Sequence, residues 1–215
     1  MCVCLPWTDA EFPHSEESLC NDTTNEAGKK SFRSKVGVEA GRSASGGVTW
    51  KRIEEVLTFK AHQLSKPCLF AGEIEPADID QGGLGDCWLL AAFAALTMSP
   101  GAIQNCFLTQ EYNLRGLYEV RLYDGRQQKF VTIYVDDYVP CHVNKDPKTP
   151  VETLFANPHD NELWVLLLEK AFAKLIGSYY GLSGGLEAWA LQALTGDRVS
   201  TVCFHIIGNL ETMHD

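Results

Sequence analysis

Gln81-Gly82-Gly83-Leu84-Gly85-Asp86-Cys87-Trp88-Leu89-Leu90-Ala91-Ala92-Phe93-Ala94-Ala95-Leu96-Thr97 is the stretch on which the fold turns. From Cys87 to Thr97 it is apolar on nearly every side. Ala and Leu favour helix, and no Val or Ile interrupts them, so the run reads as a buried helix rather than a strand. Gly82 to Asp86 reads as a turn ending in an N-cap-type Asp, and Met98-Ser99-Pro100-Gly101 ends the helix. The helix therefore starts on a cysteine. A lone cysteine beside an apolar run is most often inert core, but three features set Cys87 apart. Unsatisfied N–H groups and aligned peptide dipoles at a helix N-terminus favour a thiolate. Gly82, Gly83 and Gly85 raise no side-chain wall against an approaching backbone. Gln81, six residues upstream, offers an amide donor that with the Cys87 backbone N–H would make the two-donor cradle of an acyl-transfer oxyanion.

Outward from this stretch, the chain to about Gly47 is polar, and Ser15-Glu16-Glu17-Ser18 and Arg42 to Gly47 read as flexible surface or linker. Trp50 opens an amphipathic segment, Arg52 to Gln63, with Ile53, Val56, Leu57 and Phe59 among polar neighbours, which reads as helix. Downstream, Gly116–Asp124 alternates Tyr118, Val120 and Leu122, and Lys129–Val135 is β-branched and aromatic. Asp124-Gly125-Arg126 between them signals a hairpin. Asp146 to Pro158 is a polar excursion. Glu162–Ile176 is a strong helix closed by Gly177, Ser183-Gly184-Gly185 a turn, and Leu186–Leu194 a helix closed by Thr195-Gly196. Ser200–Ile207 reads as a final strand. The order of helices, hairpin and helices is an α+β pattern.

The segment from Gln81 to Ala92 closely resembles the active-site segment of calpains. Further resemblances follow in family order: Phe12-Pro13 with Ser18-Leu19, Trp50-Lys51-Arg52, Val135-Asp136-Asp137-Tyr138-Val139-Pro140, Glu162-Leu163-Trp164 with Leu168 to Lys174, and Gly177-Ser178-Tyr179 with Leu182 to Gly185. The resemblance implies a papain-like cysteine protease fold, of which this chain would carry the mainly helical, nucleophile-bearing lobe with a short β-hairpin. It implies Cys87 as nucleophile, Gln81 as oxyanion donor, and Trp88 and Gly185 beside the substrate groove. A plain core aromatic and a helix-flanking turn glycine are the alternative readings of the last two.

The same resemblance implies a calcium site made by the Asp78 and Glu162 carboxylates with the carbonyls of Ala71 and Glu73, an all-oxygen set suited to a hard cation. A turn Asp and a helix-N-terminal Glu are equally open readings of the two acids. Asp80 departs from the apolar residue or Cys that calpains often carry there.

In papain-like enzymes the base His and its Asn follow the Cys by about 130–150 residues, which counted from Cys87 lies just past Asp215. The calpain Gly-His-Ala segment does not occur, and His14, His62, His142, His159, His205 and His214 all lack its context. His205 reads as a buried, satisfied histidine, and Asn209 is too near it to complete the family's pair. The expectation is a first lobe without its second: an extension over 1–47 with an anchor near 12–19, a core lobe over 48–203 and a tail over 204–215. It is expected to have little peptidase activity alone. The runner-up is a calpain-like module that binds protein partners without catalysis.

Composition narrows the partners. With a net charge of −10 and no Lys/Arg cluster, the chain does not read as a nucleic-acid binder. Its eight cysteines have no repeated spacing and no signal peptide precedes them, so they read as reduced cytoplasmic thiols. Cys2 and Cys4 lack a matching zinc pair. Residue 2 is Cys rather than the Gly of a myristoylation signal, and no run is long enough to span a bilayer. The expected partners are protein substrates, a second protease lobe or regulatory domains.

Overall fold

The computed structural model describes residues 5–21, 23–35, 47–60, 66–143, 151–157 and 161–200. In chain order the elements are α1 (Glu16–Leu19), α2 (Glu26–Lys35), β1 (Val48–Arg52), α3 (Ile53–Lys60), α4 (Cys87–Thr97), β2 (Leu117–Asp124), β3 (Lys129–Asp136), β4 (Tyr138–His142), α5 (Trp164–Ile176) and α6 (Glu187–Thr195), with short 3-10 turns between. The fold is mixed helix and sheet, as the α+β pattern predicts. Helices α3, α4, α5 and α6 and the β2–β3 hairpin fall where the sequence puts them, with ends moved by one or two residues. The predicted strand at Ser200–Ile207, the segments at Arg42 to Gly46 and Asp146 to Pro150, the helical stretch beyond Lys60, Cys2, Cys4, His62, His159, His205, Asn209 and His214 lie outside the described residues.

Helix α5 is the axis of the molecule. Every residue from Trp164 to Ala173 is buried. A helix buried all round must satisfy any polar side chain internally, and this buried stretch carries two, Glu169 and Lys170. Gly177 (φ +113°) closes α5 and Gly196 (φ +76°) closes α6, a left-handed turn that glycine adopts without steric cost. On one side α5 packs against β2 and β3, and α4 packs against α6. In β2 the alternation is realised, with Tyr118, Val120, Leu122 and Asp124 facing the core. The hairpin is antiparallel from Leu117↔Asp136 to Asp124↔Lys129.

The second sheet joins distant segments. β1 pairs antiparallel with β4, Trp50 opposite Pro140, and Arg52 forks onto Asp137 with Nε at 3.0 Å from each oxygen and an Nη at 2.6 Å.

The N-terminal segment differs from the linker reading. Ser15 to Ser18 leads into a helical turn whose Ser18 and Leu19 are buried, and Phe12 and Phe32 are core residues. A buried network of charge ties the segment down. Asp136, fully buried, accepts the Asp9 backbone N–H (2.7 Å), the Tyr138 N–H (3.0 Å) and His14 Nε2 (2.9 Å), and pairs with Lys170. Lys174 reaches Asp9 at 2.8 Å. Burial pushes the Asp136 carboxyl up, but the hydrogen bonds from His14, Lys170 and Asp9 and the Lys170 charge outweigh it and hold it well below the ordinary range. The polar composition misled because its few apolar residues are spaced to dock rather than to form a local pattern.

Candidate active site

The loop that leads into α4 is fastened along its length to residues 154–157. The Asn157 N–H donates to the Asp80 carbonyl at 2.9 Å, and the Gly83 N–H reaches the Leu154 carbonyl at 3.4 Å. Between them, a Cβ on Gly82 would lie 1.7 Å from the Phe155 carbonyl oxygen. Gly82 is thus required by the protein's own backbone, where the sequence suggested room for a substrate. Gly85 is looser, 3.6 Å from Ser183 Oγ at its hypothetical Cβ, and its carbonyl accepts the Gly184 N–H at 3.0 Å. Leu84 plugs into the core.

Helix α4 begins at Cys87, whose side chain is exposed. The other described thiols are withdrawn. Burial pushes Cys106 and Cys141 up to about 12 and Cys20 up to about 11, and raises Cys68 as well. A thiol held protonated inside a core is inert, so Cys87 is the described cysteine placed to react. Its backbone N–H is one of the donors that the first turn of any helix leaves without an intrahelical partner.

Asp86 is the N-cap, as the sequence suggests, but its carboxylate does not cap. The cap is made by its backbone carbonyl, which accepts from Leu89 (2.8 Å) and Leu90 (3.1 Å). The side chain turns inward, 1% exposed, where Oδ1 lies 3.5 Å from Gln81 Nε2. Gln81 Nε2 also approaches the Leu84 carbonyl at 3.3 Å. Both contacts are long, so the Gln81 amide is positioned beside the loop rather than locked into it.

Behind Asp86 stands Glu169 of α5, also 1% exposed, with Oε1 accepting the Ala156 N–H at 3.2 Å. Burial pushes both carboxyls up. Asp86 is drawn back by hydrogen bonds from Glu169, its own backbone and Gln81. Glu169 is raised further by the Asp86 charge and by its hydrogen bond to Asp86.

Trp88, the next residue, donates Nε1–H to the Leu182 carbonyl at 2.8 Å and packs against Trp189, ring centroids 5.3 Å apart and tilted by 37°. Its ring lies so close to Gly185 that a Cβ there would be 2.4 Å from Trp88 Cε2. Trp88, Gly184, Gly185 and Trp189 share a cavity of about 470 Å3 with Asp124 and Arg126; neither Cys87 nor Gln81 lines it.

The exposed cysteine on the first residue of a buried helix, and the loop that carries Gln81 into it, lie within a stretch that matches known proteins. The chain matches the calpain family cysteine protease domain over residues 7–213. It is 39% identical over 191 residues to the calpain-type cysteine protease DEK1 of Arabidopsis thaliana, covering 88% of this chain and 8% of that protein. Against the calpain-1 catalytic subunit of Rattus norvegicus it is 35% identical over 157 residues, 72% of this chain and 20% of that protein. The chain belongs to the calpain family. It spans only a fraction of the length of these relatives.

The calpain resemblance also named four calcium ligands, and the structure brings two of them together. Glu162, buried, accepts the Ala71 N–H on Oε1 (2.6 Å) and the Trp164 indole N–H on Oε2 (2.8 Å). Asp78 instead closes a capping box with Glu75, accepting its N–H at 2.7 Å on Oδ2, and Glu73 is exposed. Among the described residues no three His, Cys, Asp or Glu side chains gather as a metal cluster. The all-oxygen set fits calcium in kind, with its carboxylates held here by N–H donors.

Among the described residues no hydrogen bond or ion pair joins Cys87 to a histidine. His14 is committed to Asp136 and stacked on Trp50 at 5.3 Å, and His142 ends β4. What the sequence reading of this calpain missed is Glu169. Its signal was legible: a carboxyl on the same helix face as Val165, Leu166, Phe172 and Ala173 must be buried, and must therefore have a partner.

Proposed function

We propose that this chain is the nucleophile-bearing lobe, papain-like in fold, of a calcium-dependent intracellular cysteine endopeptidase. The observation that carries the proposal is Cys87, an exposed thiol at the start of a buried helix in a chain where Cys20, Cys106 and Cys141 are buried and Cys68 is partly so. As a thiolate, Cys87 Sγ attacks a substrate carbonyl carbon. The carbonyl oxygen takes the charge and is met by the Cys87 N–H and by Gln81 Nε2, whose two contacts within the loop are both long. The C–N bond breaks as the amine takes up the proton that the thiol gave to its histidine base, and water then hydrolyses the thioester to a carboxylic acid and the free thiol. Trp88 and Gly185 form the wall along which the substrate backbone lies. The His and Asn that activate the thiol belong to a second lobe outside residues 1–215, and the chain alone has little activity. Asp78, Glu162 and the carbonyls of Ala71 and Glu73 would hold the calcium on which the larger enzyme depends, and its substrates are other proteins in the cytoplasm.

Casein hydrolysis in calcium tests this. A natural longer form that continues into a Gly-His-Ala segment is expected to cleave casein, to stop when calcium is chelated, and to lose activity at least about 1,000-fold in Cys87→Ala. Residues 1–215 alone are expected to leave casein intact. Cleavage by the short chain that vanishes in Cys87→Ala would contradict its dependence on a second lobe. An inactive longer form would favour a calpain-like binding module.

A further inference from the structure

Asp86 Oδ2 is buried and has no N–H or hydroxyl donor among the described residues. Its other oxygen faces the Gln81 amide at 3.5 Å. The side chain within hydrogen-bonding reach is Glu169, itself buried, with one oxygen taken by the Ala156 N–H. Two ionised carboxylates have no hydrogen to share and repel each other. The groups around them do not relieve that repulsion. Tyr179, from the 3-10 turn after α5, is buried and feels both carboxyls, along with Asp136 at the end of β3 and Cys141 of β4. Lys170, the neighbouring cation on α5, turns to Asp136 and the Tyr138 carbonyl.

We propose that Glu169 is a positioning residue, protonated at neutral pH, whose carboxyl O–H donates to Asp86 Oδ2 and so fixes the Asp86 carboxylate behind the Gln81 amide. The pair then carries one negative charge rather than two beneath the N-terminus of α4. Asp86, held from behind, keeps its acceptor Oδ1 facing Gln81, and the amide stays beside Cys87. The shared proton rests on this geometry. Its link to catalysis rests on the reading of Gln81 as oxyanion donor.

The proton can be read without any peptidase activity, so its failure is distinct from failure of that reading. Infrared spectra of the folded chain at about pH 7 are expected to show the C=O stretch of a protonated carboxylic acid, lost on unfolding and absent in Glu169→Gln. The sign of the linkage gives a second readout. A carboxyl raised in the folded state contributes stability that is full below the unfolded value of about 4.3 and is lost as pH rises through the folded value. The wild-type melting temperature is therefore expected to fall as pH rises across that window, and Glu169→Gln, whose amide also donates to Asp86, to lack that slope. Should the variant fail to fold, isotopic labelling decides on the wild type: 13C in glutamate side-chain carboxyls must shift the band. No protonated band at pH 7, a band that persists in folded Glu169→Gln, or a band shifted only by 13C-labelled aspartate would overturn the proposal.

Discussion

Replacing Asp136 with Ala is expected to destabilise the protein by about 3–5 kcal/mol, the cost of breaking a buried ion pair by removing one member. In a chain of this size that lowers the melting temperature by about 10–15 °C. The carboxylate is fully buried and serves four donors from three parts of the chain: Asp9 N–H, His14, Tyr138 N–H and Lys170. Its loss leaves the fully buried Lys170 ammonium with the Tyr138 carbonyl as its remaining hydrogen-bond acceptor among the described residues, the Trp50 ring at 5.6 Å, and the more distant charges of Asp9 and Asp137. The account separates this from simple loss of packing. Adding Lys170→Met removes the stranded charge, so the double variant is expected to be more stable than Asp136→Ala alone. Chemical denaturation of the three proteins checks it, and additive losses would count against the ion pair. The pH dependence has a fixed sign. A carboxyl whose folded value lies below the unfolded one, about 3.9, contributes stability that is present above about pH 4 and is lost as pH falls through the folded value.

Gly82→Ala is expected to have the next largest effect, for a different reason. The new methyl would sit 1.7 Å from the Phe155 carbonyl oxygen and 2.4 Å from its carbon. Backbone, unlike the far end of a side chain, cannot swing aside, so either the 81–86 loop or residues 154–157 must move. Overpacking costs typically about 1–3 kcal/mol and occasionally more, and a backbone clash belongs at the upper end. The functional consequence should exceed the stability one, because the displaced loop carries Gln81 and Asp86 into Cys87. Thermal melting is expected to drop by about 6–10 °C, and modification of Cys87 by a peptide-bearing electrophile to fall steeply. Gly85→Ala, whose methyl meets Ser183 Oγ at 3.6 Å, is the control and should change stability little. Equal melting temperatures for the Gly82 and Gly85 variants would refute this account of the loop.

How much of this was legible in the sequence depends on the range of the interaction that decides each feature. Helix α4, the hairpin and the glycine stops of α5 and α6 are set by local propensity and periodicity, and were readable. The β1–β4 sheet was not, since Val48–Arg52 carries two basic residues, its partner contains Pro140, and each strand exists only because the other lies beside it. The docking of Phe32 was hidden for the same reason, as its partners Phe155 and Tyr180 are far along the chain, and the anchor near 12–19, where Phe12 meets Tyr179, was legible through family resemblance and not from local pattern. At the site, Cys87, Gln81, Trp88 and Gly185 could be singled out because helix-terminal chemistry and family resemblance both act on contiguous residues. The inward turn of the Asp86 side chain could not, because it depends on Glu169, delivered by another helix. Conversely, Gly82 was singled out but given the wrong partner: it makes room for Phe155.

The central claim is that Cys87 is the reactive nucleophile beside a substrate groove, and the most direct measurement is the site of attack by a peptidyl epoxide on the folded chain, mapped by peptide mass spectrometry against iodoacetamide as an unguided control. The account predicts an adduct on Cys87, lost in Cys87→Ala and suppressed by excess peptide substrate, with Cys20, Cys106 and Cys141 unmodified until the protein unfolds. Modification of those cysteines in the folded protein while Cys87 stays free would contradict it.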